Sequence, residues 1–319
     1  MNLSRAQYIL TILEEGSISA AAHKLFLSQA ALSQAVRYVE EEVGLPVLQR
    51  GRGVVRLTYA GERYVETVRQ MLMLERSFRN EIDEIKREES GQFRFGIPLH
   101  SGQVTLPGVL AEFLKDYPSV RLQVVEKGSP ELVRMILQGE LDLAVVRSLV
   151  IPEQEQDQPK LEKGIVYELL QEEQMGILAG KGSGLYEKHP DGTPVDIEEA
   201  VDERFVFMKK GHSSRHTQDM LLEQRNLELQ AVVELDNFET AKQVVINCSG
   251  LIISPYSNVY SDLHFNTKEN AGIKTDVHFY PLKGAEAEEN TYLIYHEATY
   301  LTPYMKRWIE LVKEIYKNR

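Results

Sequence analysis

The chain has 319 residues and a formal net charge of −12, so two or three domains are expected, and the overall charge does not favour nucleic acid. The single cysteine, Cys248, excludes an internal disulfide framework and favours a reducing compartment. The sequence has neither an apolar run as long as a membrane span nor a secretory signal. We therefore expect a cytoplasmic protein that makes no membrane contact.

The acidic charge is distributed unevenly along the chain. Residues 1–58 carry a net charge of +1, residues 59–90 carry −2, and the remaining residues carry −11. An acidic C-terminal part can limit non-specific DNA binding while a modest basic patch near the N-terminus docks locally. The overall charge therefore leaves a DNA-binding function open.

The N-terminal residues predict three short helices. Helix 1 is expected over about residues 3–15, because Ser4 and Gln7 have the spacing of a capping box and Gly16 follows as a stop. Helix 2 is expected to begin near Ser19. The third helix follows after a tight turn.

The third helix is the most informative element of the sequence. Ser28 is a good N-cap for it, and its apolar residues form an inward stripe at helical spacing. Two short helices joined by a tight turn, with polar residues facing outward from the second, are typical of a helix-turn-helix DNA reader. The outward residues are Gln29, Ser33, Gln34 and Arg37.

These outward residues suit the major groove of DNA. Gln29 lies in the first turn of the helix, where glutamine can pair with adenine through two hydrogen bonds. Ser33 can contact base or phosphate, Gln34 is a variable reader, and Arg37 is better placed to hold phosphate. Any one of them alone would be interpreted as a solvated surface residue. The register of the whole motif favours the DNA role.

Residues 47–58, VLQRGRGVVRLT, are typical of a short β-hairpin wing. Two glycines flank Arg52, and Arg50 lies close by. At the tip of a wing, Arg52 would contact the minor groove or the phosphate backbone. We therefore assign residues 1–58 to a winged helix-turn-helix domain.

Residues 59–90 are expected to form a long linker helix followed by a hinge. No proline interrupts this segment, and mainly apolar residues recur at alternating spacings of four and three. This heptad pattern predicts that the helix pairs with a second copy of itself. The alternative is an amphipathic helix packed against its own domain. The seam positions are Tyr64, Val68, Met71, Glu75, Phe78, Ile82 and Ile85.

From residue 91 onward, strands and helices alternate, which predicts an α/β fold with a parallel sheet covered on both faces. After the first strand, residues 98–105 are expected to form a loop, with a helix beginning at residue 106. The alternation occurs twice, which indicates two subdomains with a cleft between them. Subdomain I is expected at about residues 91–166 and 275–319, and subdomain II at about residues 167–274.

In paired α/β subdomains, ligands bind beyond the carboxyl ends of the strands. Arg147 ends an apolar strand, so it is a candidate enclosed cation that, assisted by Lys127, would hold an anionic metabolite such as a carboxylate. A salt bridge at an interface or at the surface is an equal alternative. The candidate effector-binding residues are Pro98, Leu99, His100, Ser101, Lys127, Gly128, Ser129, Arg147, Met208, Asn247 and Ser249.

The remaining reactive residue types do not form a convincing site. His212 and His216 have a spacing that can bind metal on a helix, but HSSRH lacks the glutamate of the zinc-hydrolase motif. Cys248 lies near a predicted helix C-terminus, which does not favour thiolate, and it has no resolving partner. No nucleophile elbow is present. We predict no metal, no cofactor and no enzymatic activity.

The whole chain resembles the LysR-type transcriptional regulators. SISAAAHKLFLSQAALSQAVRYVEEEVGLPVL is similar to the helix-turn-helix of that family, and LTYAG to the start of its linker helix. GELDLAVV and VVINCSGLIISP are similar to two signatures of its effector domain. Ala20, Ala30 and Gln34 depart from residues common in the family. The change at Gln34 bears on which base or phosphate is read.

The resemblance implies a winged helix-turn-helix domain, a linker helix and a periplasmic-binding-protein-like effector domain. It implies that promoter binding or activation is modulated by a small-molecule effector, held in part by the loops at Ser101 and Ser129. The implied partners are double-stranded promoter DNA, the effector and further copies of the chain in a homodimer or homotetramer, with RNA polymerase as a further candidate.

Two other classes of protein remain as alternatives. A solute-binding or transport-associated protein is disfavoured by the missing export signal and by the heptad helix. A paired-subdomain enzyme, such as a porphobilinogen deaminase-like transferase, would need a cofactor-bearing cysteine, for which Cys248 is the only candidate.

Overall fold

The computed structural model describes residues 2–49, 55–85, 91–150, 162–229, 231–258, 277–284 and 288–317. The chain divides into two compact units, Met1–Lys86 with Ala298–Tyr300, and Arg87–Glu297 with Leu301–Arg319. We call them the N-terminal unit and the effector unit. Within the described ranges, no helix is both long and apolar enough to cross a membrane.

The described part of the N-terminal unit contains the helices α1 (Leu3–Glu15), α2 (Ile18–Lys24), α3 (Gln29–Val43) and α4 (Tyr59–Ile85). The predicted stop is confirmed, since Gly16 adopts a left-handed conformation after α1. The predicted capping box of Ser4 and Gln7 is wrong. Asn2 is the N-cap, and its Oδ1 accepts a hydrogen bond from the Arg5 N–H at 3.2 Å. This acceptor lies two residues earlier, so Ser4 is already inside the helix.

The prediction for α3 is confirmed. Ser28 Oγ accepts a hydrogen bond from the Ala31 N–H at 3.1 Å, and the inward stripe is buried. The stripe shares one core with the small residues of α2, which allow a close helix crossing. Hydrophobic burial on one face therefore fixes which face of α3 points outward. The buried residues are Ala21, Ala22, Leu32, Val36 and Val39.

The turn between α2 and α3 contains an exposed aromatic residue. Phe26 has a φ of 56°, in the left-handed region that bulky residues rarely adopt. Its side chain is 96% exposed, so burial of the ring does not offset this backbone strain. The turn therefore holds a ring in solvent directly before α3.

The LTYAG motif has a local structural reason. Gly61 N–H donates to Thr58 Oγ1 at 3.0 Å, and the same hydroxyl donates to the Pro46 carbonyl at 2.6 Å. A Cβ at Gly61 would lie 2.1 Å from the Val47 carbonyl oxygen. Only glycine therefore permits the start of α4 to approach the backbone at Val47, in the segment that follows α3.

The heptad pattern of α4 is divided between two environments. Tyr64 and Val68 are buried in the core of their own N-terminal unit, as the amphipathic alternative predicts. Further along the helix, Leu74 is 55% exposed and Phe78 is 61% exposed. Phe78 belongs to the predicted seam and Leu74 lies next to it, so the second half of α4 has an exposed apolar surface that a second copy could cover.

The effector unit alternates strands and helices as predicted. In chain order its elements are β1 (Gly91–Ile97), α5 (Leu99–Asp116), β2 (Val120–Glu126), α6 (Ser129–Leu137), β3 (Leu143–Val150), β4 (Ile165–Gly180), α7 (Gly184–Lys188), a 3₁₀ turn (Ile197–Ala200), β5 (Phe205–Met208), α8 (Ser213–Gln224), β6 (Ala231–Leu235), α9 (Phe238–Cys248), β7 (Leu251–Pro255), β8 (Val277–Pro281), β9 (Glu288–His296) and α10 (Pro303–Lys317).

The sheet is mixed rather than wholly parallel. β1 lies parallel between β2 and β3, and β5 lies parallel between β6 and β7. β9 runs antiparallel between β3 and β4, and β4 runs antiparallel to β7 and β8. The parallel prediction therefore fails at the connecting strands. They cross between the subdomains as extended chain, without the helical crossover that parallel neighbours require.

Strand β4 belongs to both subdomains. Residues 165–174 pair with β9, whereas residues 175–180 pair with β7 and β8. The chain returns to the first subdomain between β8 and β9. We therefore propose subdomain boundaries near residues 174 and 284, where the pairing changes, in place of those near 166 and 274.

The loop predicted at residues 98–105 is instead the beginning of α5. Pro98 is the N-cap of this helix, and Pro107 lies inside it. His100, Ser101, Val104 and Thr105 are buried at helical spacing. The sequence pattern was misleading because half of this buried face is polar. His100 and Ser101 therefore lie on a rigid first helical turn.

The GELDLAVV motif joins β1 to β3. Gly139 has a φ of 65°, which turns the chain after α6. The Asp142 carboxylate accepts a hydrogen bond from the Arg94 backbone N–H at 2.7 Å and forms an ion pair with its guanidinium at 3.0 Å. Asp142 is buried, so this charged side chain substitutes for a missing strand hydrogen bond.

We predict that Asp142→Ala destabilises the effector unit by roughly 2–4 kcal/mol, because it leaves Arg94 groups without their acceptor. Urea unfolding followed by the fluorescence of Trp308, the only tryptophan in the chain, measures this change. Glu140→Ala is the control. Its ion pair with Arg134 spans 4.0 Å between partly exposed side chains, so less than about 0.5 kcal/mol is expected. Equal stability of the two variants would contradict this role of Asp142.

Candidate functional site

The outward face of α3 is the candidate DNA-contacting surface. Gln29, Gln34 and Arg37 are exposed, and Ser33 is partly exposed. Gln29, Ser33 and Arg37 follow one another at intervals of four residues, so they lie along one face. The Ser28 hydroxyl already caps the helix. The exposed Phe26 ring precedes this surface, and the sequence pattern predicted only its position in the turn.

Arg50 and Arg52, the predicted wing-tip residues, lie outside the described residues. The arms of the wing are described. Leu48 and Leu57 form an antiparallel bridge, and the Gln49 N–H donates to the Arg56 carbonyl at 2.9 Å. This pairing is that of the base of a β-hairpin.

Contacts between the first turns of α5 and α9 cross from one subdomain of the effector unit to the other. His100 Nδ1 lies 3.7 Å from Glu239 Oε1, and the His100 ring centroid lies 5.1 Å from that of Phe238. Thr217 on α8 also donates to Glu289 Oε1 on β9 at 2.7 Å. These contacts lie where the two subdomains meet, a region that we call the cleft, and the first turns of α5 and α9 lie on either side of it.

Arg147 lies in this cleft, and its side chain is only 7% exposed. Its guanidinium donates to Asn258 Oδ1 at 2.9 Å and to Ser257 Oγ at 3.2 Å. Its backbone N–H donates to Ser129 Oγ at 2.9 Å. Arg147 therefore connects β3 to the start of α6 and to the segment after β7.

Two buried carboxylates flank the Arg147 guanidinium. Glu173 Oε1 on β4 and Glu289 Oε2 on β9 each lie 3.7 Å from one of its terminal nitrogens. The second oxygen of Glu173 accepts from the Ser257 N–H at 3.1 Å. The structure thus shows the salt-bridge alternative for Arg147, with two carboxylates in place of one.

The electrostatics of this cluster are set by burial. Burial alone would lower the pKa of Arg147, but Glu289 and Glu173 outweigh it and raise that pKa. Burial raises the pKa of Glu289, despite the opposing charge of Arg147 and the Thr217 hydrogen bond. Burial and the charge of Arg147 lower the pKa of His212. The guanidinium stays charged, while the second carboxylate is costly to ionise.

The polar residues of this cluster on β4 and β9 were not predicted from the sequence. Glu173, Glu289 and Thr291 are buried, although their segments, QEEQ and EENT, look like solvated polar stretches. The one sequence signal for these residues was that they lie in segments that can form strands. Their burial could not be predicted, because it depends on the second subdomain.

Several predicted effector residues have structural roles in or near the cleft. Pro98 and Gly128 are the N-caps of α5 and α6, and Leu99 begins α5. Ser101 and Ser129 are buried in the first turns of these helices. Met208 is buried in the core that contains Phe238.

Other predicted effector residues are not brought to this group. Lys127 is exposed and forms an ion pair with Glu131 at 3.7 Å, so the predicted assistance to Arg147 is not observed. Asn247 and Ser249 lie at the C-terminal end of α9, where they bond to Gln243 and Lys181. Both residues precede β7, so they lie at the amino end of a strand that runs parallel to β5. The cleft lies beyond the opposite, carboxyl end.

The histidine pair and the cysteine show no reactive arrangement. His212 is the N-cap of α8, where its Nδ1 accepts from the Ser214 N–H at 3.2 Å, while His216 is exposed. Cys248 is exposed at the end of α9. Among the described residues, no group of three or more His, Cys, Asp or Glu is arranged to hold a metal ion.

A helix-turn-helix and a two-subdomain α/β unit in one chain are typical of a DNA-binding transcriptional regulator with an effector-binding domain. The family model of the bacterial regulatory helix-turn-helix protein, lysR family, matches residues 3–62. The LysR substrate binding domain model matches residues 86–317. The chain belongs to the LysR family of transcriptional regulators.

Curated relatives cover most of the chain. It is 28% identical over 261 residues to the uncharacterized HTH-type transcriptional regulator YcgK of Bacillus subtilis, covering 80% of each chain. It is also 28% identical over 268 residues to a probable nitrogen assimilation transcriptional activator of Synechococcus elongatus, covering 83% of this chain and 82% of the relative.

Solved structures share the fold over nearly the whole length. A full-length OxyR variant from Pseudomonas aeruginosa gives a TM-score of 0.67 at 21% identity, covering 99% of this chain and 95% of that one. Full-length CbnR in complex with its target DNA gives a TM-score of 0.55 at 18% identity, covering 99% and 100%.

We predict that Glu289→Gln makes the effector unit more stable than wild type at neutral pH. The folded chain holds a proton on Glu289 more tightly than the unfolded chain, so wild-type stability falls as pH rises from about 4.5 through the raised pKa. The loss amounts to about 1.4 kcal/mol for each pH unit by which that pKa is raised. Glutamine is neutral throughout and lacks this fall.

Urea unfolding between pH 4.5 and 8, followed by Trp308 fluorescence, measures the difference between the two chains. Glu172→Gln is the matched control, because Glu172 precedes Glu173 on β4 and its side chain is exposed. Its stability curve should run parallel to that of wild type. A Glu289→Gln curve that also runs parallel to wild type would show that Glu289 ionises normally.

Proposed function

We propose that this LysR-family regulator docks α3 in the major groove of its operator and that a small molecule in the effector-unit cleft modulates this binding. The observation that carries the proposal is the division of α3 into a fully buried apolar face and an outward face of Gln29, Ser33, Gln34 and Arg37. The CbnR complex, in which a protein of the same fold binds its target DNA, supports the docking.

The contacts of α3 divide by chemistry. Gln29 and Ser33 lie in the first turns, where side chains reach base edges, so they read sequence. Arg37 lies one turn further along and neutralises phosphate, as would Arg50 and Arg52 in the wing. Gln34, an uncharged residue, contributes hydrogen bonds rather than charge.

The effector acts through the connections between the subdomains. Strand β4 and the return from β8 to β9 link them, and Arg147, Glu289 and Glu173 have hydrogen-bond or ion-pair partners on both sides. A ligand that binds one arrangement of the subdomains more tightly than another shifts the population toward it. The proposal includes no catalytic step. We propose that the protein acts in the cytoplasm, where it binds promoter DNA. We also propose that it contacts RNA polymerase there.

The chain acts as a homodimer or a homotetramer. Leu74 and Phe78 expose apolar side chains one turn apart in the second half of α4, an arrangement that suits pairing with the same helix of a second copy. A dimer presents two α3 helices to related half-sites.

The direct test is fluorescence anisotropy with the DNA immediately upstream of the gene for this protein, against a scrambled duplex at the same salt concentration. Tight binding to the upstream duplex alone supports the proposal. If equal, weak binding to both is found, a selection of bound genomic fragments follows. Failure of that selection to enrich any sequence would reject a sequence-specific regulator.

We predict that Arg37→Ala weakens binding to specific and scrambled duplexes by a similar factor. It should also reduce the slope of log affinity against log salt by about one, because one phosphate contact is lost. Gln29→Ala should instead lower the preference for the specific duplex by roughly 1–3 kcal/mol. Arg121→Ala, an equal charge change at an exposed residue of the effector unit, is the control. An unchanged salt slope in Arg37→Ala would argue against phosphate contact.

We predict that Leu74→Glu and Phe78→Glu each shift the chain from dimer toward monomer and reduce operator affinity at least tenfold. Glutamate at either position places like charges on the exposed apolar surface of α4, where the side chains of two copies would pair. Sedimentation equilibrium measures the oligomeric state. Leu169→Glu is the control, because Leu169 on β4 is similarly exposed and should leave the dimer intact. A dimer that persists in both α4 variants would exclude this surface as the interface.

A further inference from the structure

Among the described residues, two buried carboxylates face the single guanidinium of Arg147. Arg147 supplies the guanidinium, while Glu173 and Glu289 supply two carboxylates that are less than a tenth exposed. From α8, His212 caps the helix with its ring nitrogen and has a lowered pKa, and Thr217 is uncharged. Tyr316 of α10 also faces Arg147 and adds no cation. A buried excess carboxylate is costly unless a proton or a cation compensates it.

Strand register places the polar residues of the cleft on one face. Arg147 on β3 pairs with Thr291 on β9, which pairs with Gln171 on β4. Two positions along, Glu289 pairs with Glu173. Opposed residues share a face, and a step of two residues returns to it. Five polar side chains thus form a continuous patch across three strands, where an ordinary strand interior would be apolar.

Most of the unpaired polar atoms in this patch are acceptors, which a ligand that donates hydrogen bonds would satisfy. Within the described part of the chain, Glu173 Oε1, Glu289 Oε2, Gln171 Oε1 and Thr291 Oγ1 are buried without a hydrogen-bond partner. Two buried donors, Asn258 Nδ2 and Arg147 Nε, also lack a hydrogen-bond partner. Buried polar atoms are nearly always paired, so several unpaired ones at one place indicate a site that a polar ligand completes.

We propose that the cleft binds a free amino acid, with its ammonium group held by Glu173 and Glu289 and an oxygen of its carboxylate facing Asn258 and Arg147 Nε. This rests on the proposed function, since it names the ligand class of the same cleft. The ammonium supplies the missing positive charge and up to three donors, whereas the carboxylate takes the two free donors.

The proposal revises the expected anionic ligand. The terminal nitrogens of Arg147 already bond to Ser257 and Asn258 and face two carboxylates. A carboxylate ligand without an amine would add a third negative charge beside one guanidinium. The ammonium group makes an amino acid acceptable where a simple carboxylic acid of the same shape is not.

The experiment uses isothermal titration calorimetry on the full-length chain. The probes are the twenty standard L-amino acids, each compared with the acid of the same skeleton without the amine, such as propionate for alanine and glutarate for glutamate. We expect at least one amino acid to bind, with its amine-free counterpart at least tenfold weaker. Glu289→Gln should lower the affinity for that amino acid roughly 10- to 100-fold, because a charged acceptor becomes neutral.

Glu172→Gln controls for the loss of one charge on the same strand and should bind like wild type. Trp308 fluorescence confirms that each variant is folded, and Glu173→Gln replaces Glu289→Gln if the latter does not fold. Equal binding of the amine-free acid, unchanged affinity in the folded variant, or no binding of any amino acid overturns the proposal.

The anisotropy measurement on unliganded protein separates this outcome from failure of the proposed function. Specific DNA binding without amino acid binding rejects only the ligand class. If the wild-type chain binds neither the upstream duplex nor any selected genomic fragment specifically, the regulator itself is rejected.

Discussion

The buried guanidinium of Arg147 is the constraint on which the effector unit depends. A charge in a protein interior must be paired, and its partners come from β4, β9 and the segment after β7. These elements belong to different subdomains, so electrostatic pairing connects them where hydrophobic packing alone would separate two cores. The pairing is imperfect, because two carboxylates face one cation. That imbalance is the basis of the proposed ligand class.

In the N-terminal unit, hydrophobic packing fixes the orientation of α3. The functional residues lie on the face of that helix opposite the core. Ala21 and Ala22 admit a close helix crossing, Gly61 admits the Val47 carbonyl, and the inward stripe of α3 is buried. Because these contacts use only the inward face of α3, its polar face remains exposed. The same division applies to α4, whose first half completes this core while its second half exposes Leu74 and Phe78.

Predictions from the sequence succeeded where local chemistry decides the structure. Ser28, Gly16 and the apolar stripe of α3 have the same meaning in any context, so the helix-turn-helix was predicted nearly residue by residue. Predictions failed where a distant partner decides. The polar first turn of α5 looked like a loop, and the QEEQ segment of β4 was not assigned to a strand at all. Local propensity is a weak guide wherever polar residues are buried by another subdomain.

The sequence by itself determined the family, the order of the domains and the residues of α3 that face outward, since periodicity and capping are local properties of the chain. Tertiary structure alone decided the character of the cleft. It placed Glu173 and Glu289 beside Arg147, moved Ser101 onto a helix, and left Asn247 and Ser249 at the opposite edge. The physical reason is that burial and charge pairing depend on residues far apart in the chain, which no local pattern records.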